Sequence, residues 1–434
     1  MPARLNITDA GFEGAFRALL GAKRESAQDV NAAVADILGD VAARGDAALL
    51  EYTARFDRLT LAPSQLAFSA AEIDAAIAAC DRAALNALEM AAARIEAYHR
   101  RQLPQDDLYT DEIGVQLGHR WTAIAAAGMY VPGGTASYPS SVLMNAIPAR
   151  VAGVPRRVMV MPAPDGRFNP LTLAAARLAG VHEIYRIGGA QAVGALAYGT
   201  ASIAPVDKIT GPGNAWVAAA KRQIFGAVGI DMIAGPSEIL VVADGANDPA
   251  WIAADLLSQA EHDPAAQSIL LTNDAGFADQ VADAIAAQLQ SLTRAVIAAE
   301  SWNANGAIIL VRNMEDAPPL IDRIAPEHLQ LAVADPQALM ARVRNAGAIF
   351  LGRHTPEAIG DYMAGPNHVL PTARAARYAS GLSVLDFMKR STIIGCTPEA
   401  LAALAPATLS LAASEGLDAH GRAISIRLNA REAK

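Results

Sequence analysis

The sequence predicts an α/β protein in which helices cover parallel sheets, and three observations lead to this fold class. From about Trp121 onward, short apolar runs alternate with helical stretches, as they do in strand–helix–strand units. Hydrophobic residues make up 53% of the 434 residues and charged residues only 18%, so the chain can fill two or three buried cores. Glycine-rich turns follow several of the apolar runs, where parallel sheets place their strand-to-helix turns.

The predicted elements begin with a short arm over residues 1–25, and helical periodicity then continues to Gln102 and ends before Pro104. After about Ser380 the strand signals fade, so residues 382–434 are predicted to be a helical tail that is too short to fold alone. The predicted strands lie in the apolar runs Ile124–Val131, Val158–Met161, Ile184–Ile187, Ile239–Ala243, Ile269–Thr272, Ala307–Val311 and Ala348–Leu351.

Charge and composition exclude several classes of function. The net charge of −9 argues against nucleic acid or an anionic membrane as the main partner, and it favours a small-molecule substrate. The two cysteines, Cys80 and Cys396, are too few for a disulfide framework or a thiolate zinc site. The N-terminal residues lack an apolar signal core, and no apolar run reaches the roughly 20 residues of a membrane span. We therefore expect a soluble cytoplasmic protein.

One predicted helix ends in groups that can bind a metal. Asp248 and Pro249 open this helix, and Asp263 with Pro264 stops it. Gln259 and His262 lie one turn apart on its polar side. An imidazole nitrogen and an amide oxygen make half of a metal site, so two further ligands must come from elsewhere. A surface Gln/His pair at a helix end is the alternative interpretation.

Three further polar clusters follow this helix. Glu327 and His328 are adjacent groups that can carry protons, which suits general acid–base catalysis, although an exposed turn is an equal alternative. The loop Gly360–His368 is rich in glycine and proline and holds a carboxylate and an imidazole, a composition typical of functional loops. Glu415–His420 lies at a helix junction in the tail and by itself resembles a solvated helix end. The remaining histidines, His99, His119, His182 and His354, are interpreted as surface or structural residues.

Three glycine-rich turns, Tyr130–Gly134, Gly188–Gly194 and Gly211–Asn214, follow predicted strands or strand-like runs. Turns of this kind bring backbone N–H groups close to a ligand, and dinucleotides bind at such sheet edges. None of the three matches the G-x-G-x-x-G pattern, so tight turns without a ligand remain an equal alternative.

Taken together, the motifs resemble the histidinol dehydrogenase family over nearly the full length of the chain. Each motif alone is modestly specific, whereas their common order and spacing are highly specific. The matching segments are Tyr130–Gly134, Gly211–Asn214, Ala234–Glu238, Gln259–His262, Pro326–Leu329, Gly360–His368, Ser380–Phe387 and Glu415–His420.

The resemblance implies a zinc-dependent, NAD-linked enzyme that oxidises L-histidinol through L-histidinal to L-histidine, the last step of histidine biosynthesis. It implies Glu327 and His328 as the catalytic pair. The implied ligands of one zinc ion per subunit are Gln259, His262, Asp361 and His420. The implied NAD contacts are Tyr130, Gln191 and Asn214. The implied substrate contacts are Ser237, Gln259, His262, His328, Asp361, His368, Glu415 and His420.

The resemblance also implies two incomplete Rossmann-like domains, the first formed by residues 26–128 and 236–381 and the second by residues 129–235. The N-terminal arm precedes these domains, and the tail over residues 382–434 follows them. The resemblance further implies a homodimer in which the tail of each chain crosses to the partner. His328 is the candidate base for the alcohol proton, and Glu327 can take a proton from the water that adds to the aldehyde.

Three alternatives stay open at this point. The first is a related zinc- and NAD-dependent dehydrogenase of another small polar alcohol, such as a sulfonated diol, although Glu415 and Ser237 suit a cationic amino alcohol better. The second is a zinc hydrolase in which Glu327 and His328 activate water. The third is a binding protein with a purely structural metal.

Overall fold

The structure is a computed structural model that describes residues 1–22, 30–133, 138–233 and 235–428. The chain divides into two compact units, the first formed by Met1–Gln102 with Ala125–Phe387 and the second by Leu103–Ile124 with Met388–Lys434. Two residues of the predicted motifs, Gly134 and Ala234, lie outside the described residues, as do the end of the predicted arm and the last residues of the tail.

Strands and helices alternate over most of the described chain. The strands are β1 (Ala3–Asn6), β2 (Asp107–Thr110), β3 (Gln116–Ala123), β4 (Ala126–Tyr130), β5 (Arg156–Val160), β6 (Glu183–Tyr185), β7 (Lys208–Thr210), β8 (Gly229–Ile230), β9 (Glu238–Ala243), β10 (Gln267–Thr272), β11 (Ala307–Leu310), β12 (His328–Ala332), β13 (Ala348–Leu351) and β14 (Met388–Gly395). The α-helices are α1 (Phe12–Gly21), α2 (Asn31–Arg44), α3 (Asp46–Phe56), α4 (Ala70–Ala78), α5 (Arg82–Arg100), α6 (Pro139–Val151), α7 (Pro170–Leu178), α8 (Gly189–Tyr198), α9 (Ala215–Ile224), α10 (Pro249–Ala260), α11 (Ala275–Gln288), α12 (Ala295–Asn305), α13 (Ala317–Ile324), α14 (Pro336–Met340), α15 (Glu357–Tyr362), α16 (Pro398–Ser414) and α17 (Asp418–Leu428).

The first unit contains a parallel six-stranded sheet in the order β1-β11-β10-β9-β12-β13. All residues of β9, β10 and β12 are buried, because helices cover both faces of a parallel sheet. One face packs apolar side chains against α1 and α13, and the other packs them against α10, α11 and α12. The register sets His328, the first residue of β12, beside Ile239 of β9 and Ala348 of β13.

A second parallel sheet in the same unit has five strands in the order β6-β5-β4-β7-β8. Its central strand β4 is buried along its whole length. The core on one side is formed with α2, α8 and α9, and α6 packs against β4 and β5. Because β4 and β7 are parallel neighbours, the turns after Tyr130 and Thr210 leave the sheet at the same edge.

The second unit contains an antiparallel sheet in the order β14-β3-β2, together with α16 and α17, which pack on each other. Thr397 begins α16 by accepting a hydrogen bond from the N–H of Ala400. None of the described helices combines the length and the apolar content that crossing a bilayer requires.

The predicted α/β class with parallel sheets is confirmed, and each predicted strand coincides with an observed one. Several strands were not predicted. Ala3–Asn6 lies in the predicted arm yet pairs with β11, and Met388–Gly395 opens the tail that was predicted to be helical. Both are short or exposed and carry little apolar signal. The predicted domain boundaries stay a prediction.

Candidate active site

The catalytic candidates of the first unit line one cavity of about 770 Å³. The amino ends of β9 and β12 reach it, and so does the turn that follows β7. Eight predicted site residues are among its lining residues, namely Asn214, Ser237, Gln259, His262, Glu327, His328, Asp361 and His368. Segments far apart in the sequence are thus brought to one place, at a size that suits small-molecule ligands.

His328 is held in one tautomer by the backbone. The residue is 4% exposed, and Nδ1 lies 2.9 Å from the carbonyl oxygen of Glu238. A carbonyl oxygen only accepts, so Nδ1 carries the proton and donates it. Nε2 is buried and has no hydrogen-bond partner among the described residues. Burial lowers the pKa of His328 to about 4, so a neutral imidazole offers a bare Nε2 at neutral pH.

Glu327 is fixed on the same strand boundary. Its Oε2 accepts a hydrogen bond of 2.8 Å from the N–H of Glu238, and it lies 3.6 Å from Nδ1 of His328. Burial raises the pKa of the Glu327 carboxyl well above its ordinary value, and the nearby carboxylates of Glu238 and Glu357 add to this effect. The alternative of an exposed Glu-His turn is therefore wrong, since both side chains are buried.

Glu357 is a site residue that the sequence analysis missed. Its Oε1 lies 3.6 Å from Nε2 of His328, and its Oε2 accepts a hydrogen bond from the Ser258 hydroxyl at 3.3 Å. Burial raises the pKa of Glu357 well above its ordinary value. One signal in the sequence pointed to it, because Glu357 precedes Asp361 by four residues and therefore shares its helix face on α15.

The arrangement around Asp361 fits a divalent cation. Metal-binding atoms of His328, Glu357 and Asp361 lie within 4.8 Å of one another. Gln259 is 1% exposed, and its side-chain oxygen is buried without a hydrogen-bond partner among the described residues. A buried acceptor of this kind is costly unless a cation or donor occupies the space beside it.

The predicted helix end is partly corrected. Asp248 caps α10 as predicted, with its carboxylate accepting from the N–H of Ala250 at 2.8 Å. The helix ends at Ala260, so His262 lies in the following turn and its N–H donates to the carbonyl oxygen of Gln259 at 3.2 Å. The alternative of a surface Gln/His pair is wrong for Gln259, which is buried, whereas His262 is exposed.

His368 is oriented from both ring nitrogens. Nδ1 donates to the carbonyl oxygen of Asp361 at 3.1 Å, and Nε2 lies 3.3 Å from the hydroxyl of Ser141 on α6, which donates to it. Burial lowers the pKa of His368, which favours this neutral form. The segment Gly360–His368 was predicted to be a loop, but its first three residues belong to α15, and His368 ties the segment to α6.

The predicted NAD contacts gather around the five-stranded sheet. The hydroxyl of Tyr130, at the end of β4, accepts from the N–H of Gly189 at 3.1 Å, and burial raises the pKa of Tyr130 to about 12. Gln191 lies in the first turn of α8, and its buried side-chain oxygen has no partner among the described residues. Asn214 caps α9 by accepting from the N–H groups of Trp216 and Val217.

Ser237 lines the cavity just before β9, and its carbonyl oxygen accepts from the N–H of Gln267. Glu415 and His420 belong to the second unit, where Glu415 ends α16 and His420 lies in the first turn of α17. Both are exposed. The cluster described above is thus formed by residues of the first unit.

Comparisons with known proteins agree across the whole chain. The sequence profile described as histidinol dehydrogenase matches residues 21–428. The histidinol dehydrogenase of Rhodospirillum rubrum is 66% identical over 430 residues, covering 99% of each chain, and that of Bradyrhizobium diazoefficiens is 65% identical over 429 residues, covering 99% of this chain and 100% of the relative.

A solved structure has the same fold as this chain. The crystal structure of histidinol dehydrogenase from Elizabethkingia anophelis superimposes with a TM-score of 0.95 at 36% identity, covering 100% of this chain and 99% of that one. The profile match, the identity over nearly the full length and the shared fold agree. The chain therefore belongs to the histidinol dehydrogenase family and is an oxidoreductase of histidine biosynthesis.

Proposed function

We propose that this protein oxidises L-histidinol through L-histidinal to L-histidine in two NAD-linked steps. The observation that carries the proposal is the bare Nε2 of His328, buried at the wall of a cavity that also holds the Gly211–Asn214 turn. Hydride transfer from an alcohol needs a base for the hydroxyl proton and a dinucleotide beside it. Membership of the histidinol dehydrogenase family supports His328 as the base and the cavity as the place where the dinucleotide binds.

His328 acts in the first step by accepting the hydroxyl proton at Nε2. Because Nδ1 is bound to the Glu238 carbonyl, the ring cannot turn over and Nε2 keeps its position. The pKa of about 4 follows from burial, which removes the water that would solvate the positive form of His328. Glu357 lies 3.6 Å from the same nitrogen and can stabilise the imidazolium once it forms.

Glu327 acts in the second step, when water adds to the aldehyde. Burial raises the pKa of this carboxyl well above its ordinary value, and a raised pKa makes its carboxylate a stronger base. Since its Oε2 is fixed by the N–H of Glu238, the carboxyl has one defined orientation toward the cavity wall formed with His328.

Gln259, His262 and Asp361 would hold a zinc ion, with His420 of the partner subunit as the fourth ligand. The side-chain oxygen of Gln259 is buried without a hydrogen-bond partner among the described residues, which supports this set because zinc accepts nitrogen and oxygen ligands. Asp361 also lies in one cluster with His328 and Glu357, and we assign those two residues to proton transfer. When bound, the metal supplies a template for the imidazole and amine of the substrate, with Lewis acidity as a second contribution. His368, Ser237 and Glu415 would complete the substrate contacts, Glu415 facing a cationic amine.

Tyr130, Gln191 and Asn214 would contact NAD. The side-chain oxygen of Gln191, which has no partner in the part of the chain that the structure describes, supports this assignment. The turn at the start of α9 supports it too, because helix starts after glycine-rich turns suit dinucleotides. We also propose a cytoplasmic homodimer in which the tail supplies Glu415 and His420 to the partner.

The test is a stoichiometric assay with purified protein, L-histidinol and NAD. The proposed function requires two NADH per histidinol consumed, with L-histidine as the product. One NADH per substrate, with histidinal accumulating, would limit the activity to alcohol oxidation. Absence of NADH formation with histidinol, in protein shown to be folded and loaded with zinc, would contradict the proposal. A sulfonated diol serves as the control substrate and should give no NADH.

A further inference from the structure

A buried ion pair lies directly beneath the Gly211–Asn214 turn. Lys221 on α9 and Asp231, which follows β8, form a salt bridge whose side chains are 3% and 1% exposed. The Lys221 ammonium also donates to the carbonyl oxygen of Gly211 at 2.9 Å. Asp231 accepts the N–H of Gly211 at 2.8 Å through its other oxygen. The pair therefore binds both backbone polar groups of one glycine.

Gly211 has a conformation that depends on such support. Its φ is +110°, and a Cβ at this position would lie 2.1 Å from the carbonyl oxygen of Tyr130. The turn thus passes in close contact with the end of β4, where only glycine fits. Asp231 also accepts the N–H of Met232 at 2.7 Å, so one carboxylate binds the backbone of Gly211 and of Met232, both of which line the cavity.

Stability alone does not account for this pair. Burying two opposite charges costs desolvation that their attraction hardly exceeds, and apolar side chains of similar volume often give equal stability. What the charges provide here is orientation, because an apolar pair could bind neither the N–H nor the carbonyl of Gly211. The chain continues from the oriented Gly211 backbone to Asn214 and the first turn of α9, which line the cavity.

We propose that Lys221 and Asp231 are positioning residues for the dinucleotide, fixing the Gly211–Asn214 turn in the conformation that receives it. This inference rests on the proposed function, since it assumes that NAD binds at this turn. Neither side chain needs to touch NAD, because both act through the backbone of Gly211.

The test separates positioning from stability with a double variant, Lys221→Met/Asp231→Leu, which removes both charges together and leaves no unpaired buried ion. We measure the dissociation constants of NAD and L-histidinol by calorimetry on zinc-loaded protein, and the thermal midpoint. NAD binding should weaken about tenfold, as expected when a binding loop is loosened. L-histidinol binding should stay within about twofold of wild type and the midpoint within a few degrees.

The matched control is Arg156→Met/Glu183→Leu, which removes an ion pair of the same sheet between β5 and β6, and it should leave NAD binding unchanged. Wild-type NAD affinity in the Lys221/Asp231 variant would overturn the inference, and so would equal loss of both ligands with a lowered midpoint. Wild-type protein that binds no NAD would overturn the proposed function as well. Should the double variant not fold, Lys221→Met/Asp231→Asn decides, because it also leaves no unpaired buried ion, removes the donor to the Gly211 carbonyl and must weaken NAD binding selectively.

Discussion

The imidazole of His328 differs from the other site groups because one of its nitrogens is bound to the backbone and the other has no partner among the described residues. This asymmetry was not visible in the sequence, where Glu327 and His328 were recognised as neighbours only. Their adjacency could be predicted because it is local. The carbonyl of Glu238 and the carboxyl of Glu357 come from distant segments, and no local pattern links them to His328.

Replacing His328 with Asn tests its role as base. Asn can still donate from its amide to the Glu238 carbonyl, but it cannot accept the alcohol proton. The rate of histidinol oxidation should fall by about two to four orders of magnitude. Zinc content, measured by atomic emission, should stay near wild type because His328 is assigned to proton transfer. Turnover at the wild-type rate would show that another group is the base.

Glu327→Gln separates the two oxidation steps. The amide oxygen can still accept from the N–H of Glu238, so the fold around β9 is kept while proton acceptance is lost. Rapid mixing should show a burst of one NADH per site followed by slow turnover, because water addition to the aldehyde is impaired. Oxidation of supplied histidinal should be slowed more than the first hydride transfer. If both steps slow equally, the two residues act as one unit.

Among the helices, α10 and α5 show which features local sequence patterns predict. The cap of α10 at Asp248 was predicted correctly because capping residues act on their own chain neighbours. His99, interpreted as surface or structural, is fully buried and therefore structural. Its position was predictable, since it continues the buried stripe of α5 through Leu88, Ala92 and Ile95 at helical spacing.

His99 joins α5 to the segment Gly360–His368, and we expect this contact to make the stability of the protein depend on pH. Nδ1 lies 2.7 Å from the side-chain oxygen of Gln102, and Nε2 lies 3.4 Å from the amide nitrogen of Asn367, next to His368. Burial lowers the pKa of His99 below its ordinary 6.5, and the hydrogen bond to Gln102 offsets only part of this effect. The unfolded chain therefore takes up a proton first as the pH falls, so this residue's contribution to stability is lost below about pH 6.5.

His99→Leu should lower the free energy of unfolding by about 1–3 kcal/mol at pH 8, because the side-chain oxygen of Gln102 loses its donor and the Asn367 amide loses one of its two partners. The deficit should narrow at pH 5.5, since only the wild type has the imidazole of His99, whose buried neutral form is disfavoured in acid relative to the unfolded chain. Denaturant unfolding of both proteins at the two pH values gives the comparison. A deficit that widens in acid would mean that His99 is charged in the folded protein.

At the scale of the whole molecule, the fold class followed from the alternation of apolar runs with helices, but the sheet order did not. Alternation is a local pattern, whereas the order β1-β11-β10-β9-β12-β13 joins the first strand to one near residue 307. The proposed contact of the tail with a partner subunit could not be predicted from local patterns either. It rests on the family resemblance, because nothing within residues 382–434 specifies it.

Dimers that combine two different variants test whether the tail supplies His420 to the partner's site. His262→Ala and His420→Ala homodimers should both be inactive, since each lacks one proposed zinc ligand at every site. Co-expression should give half of the dimers as heterodimers by random assortment, and each of these has one complete site. Activity should then return to roughly a quarter of the wild-type value per subunit. Inactive mixtures in which mass spectrometry detects heterodimers would place His420 in the site of its own chain.

The pairing of Ala3–Asn6 with Ala307–Leu310 also determines how the chain assembles during synthesis. On the ribosome, β1 is made first, but its partner is made about 300 residues later. The five-stranded sheet needs only residues between Ala126 and Ile230, so it can form while the remainder is still being translated. β1 can enter the six-stranded sheet only after β11 has been made, so its pairing in this sheet is delayed until most of the chain has been synthesised.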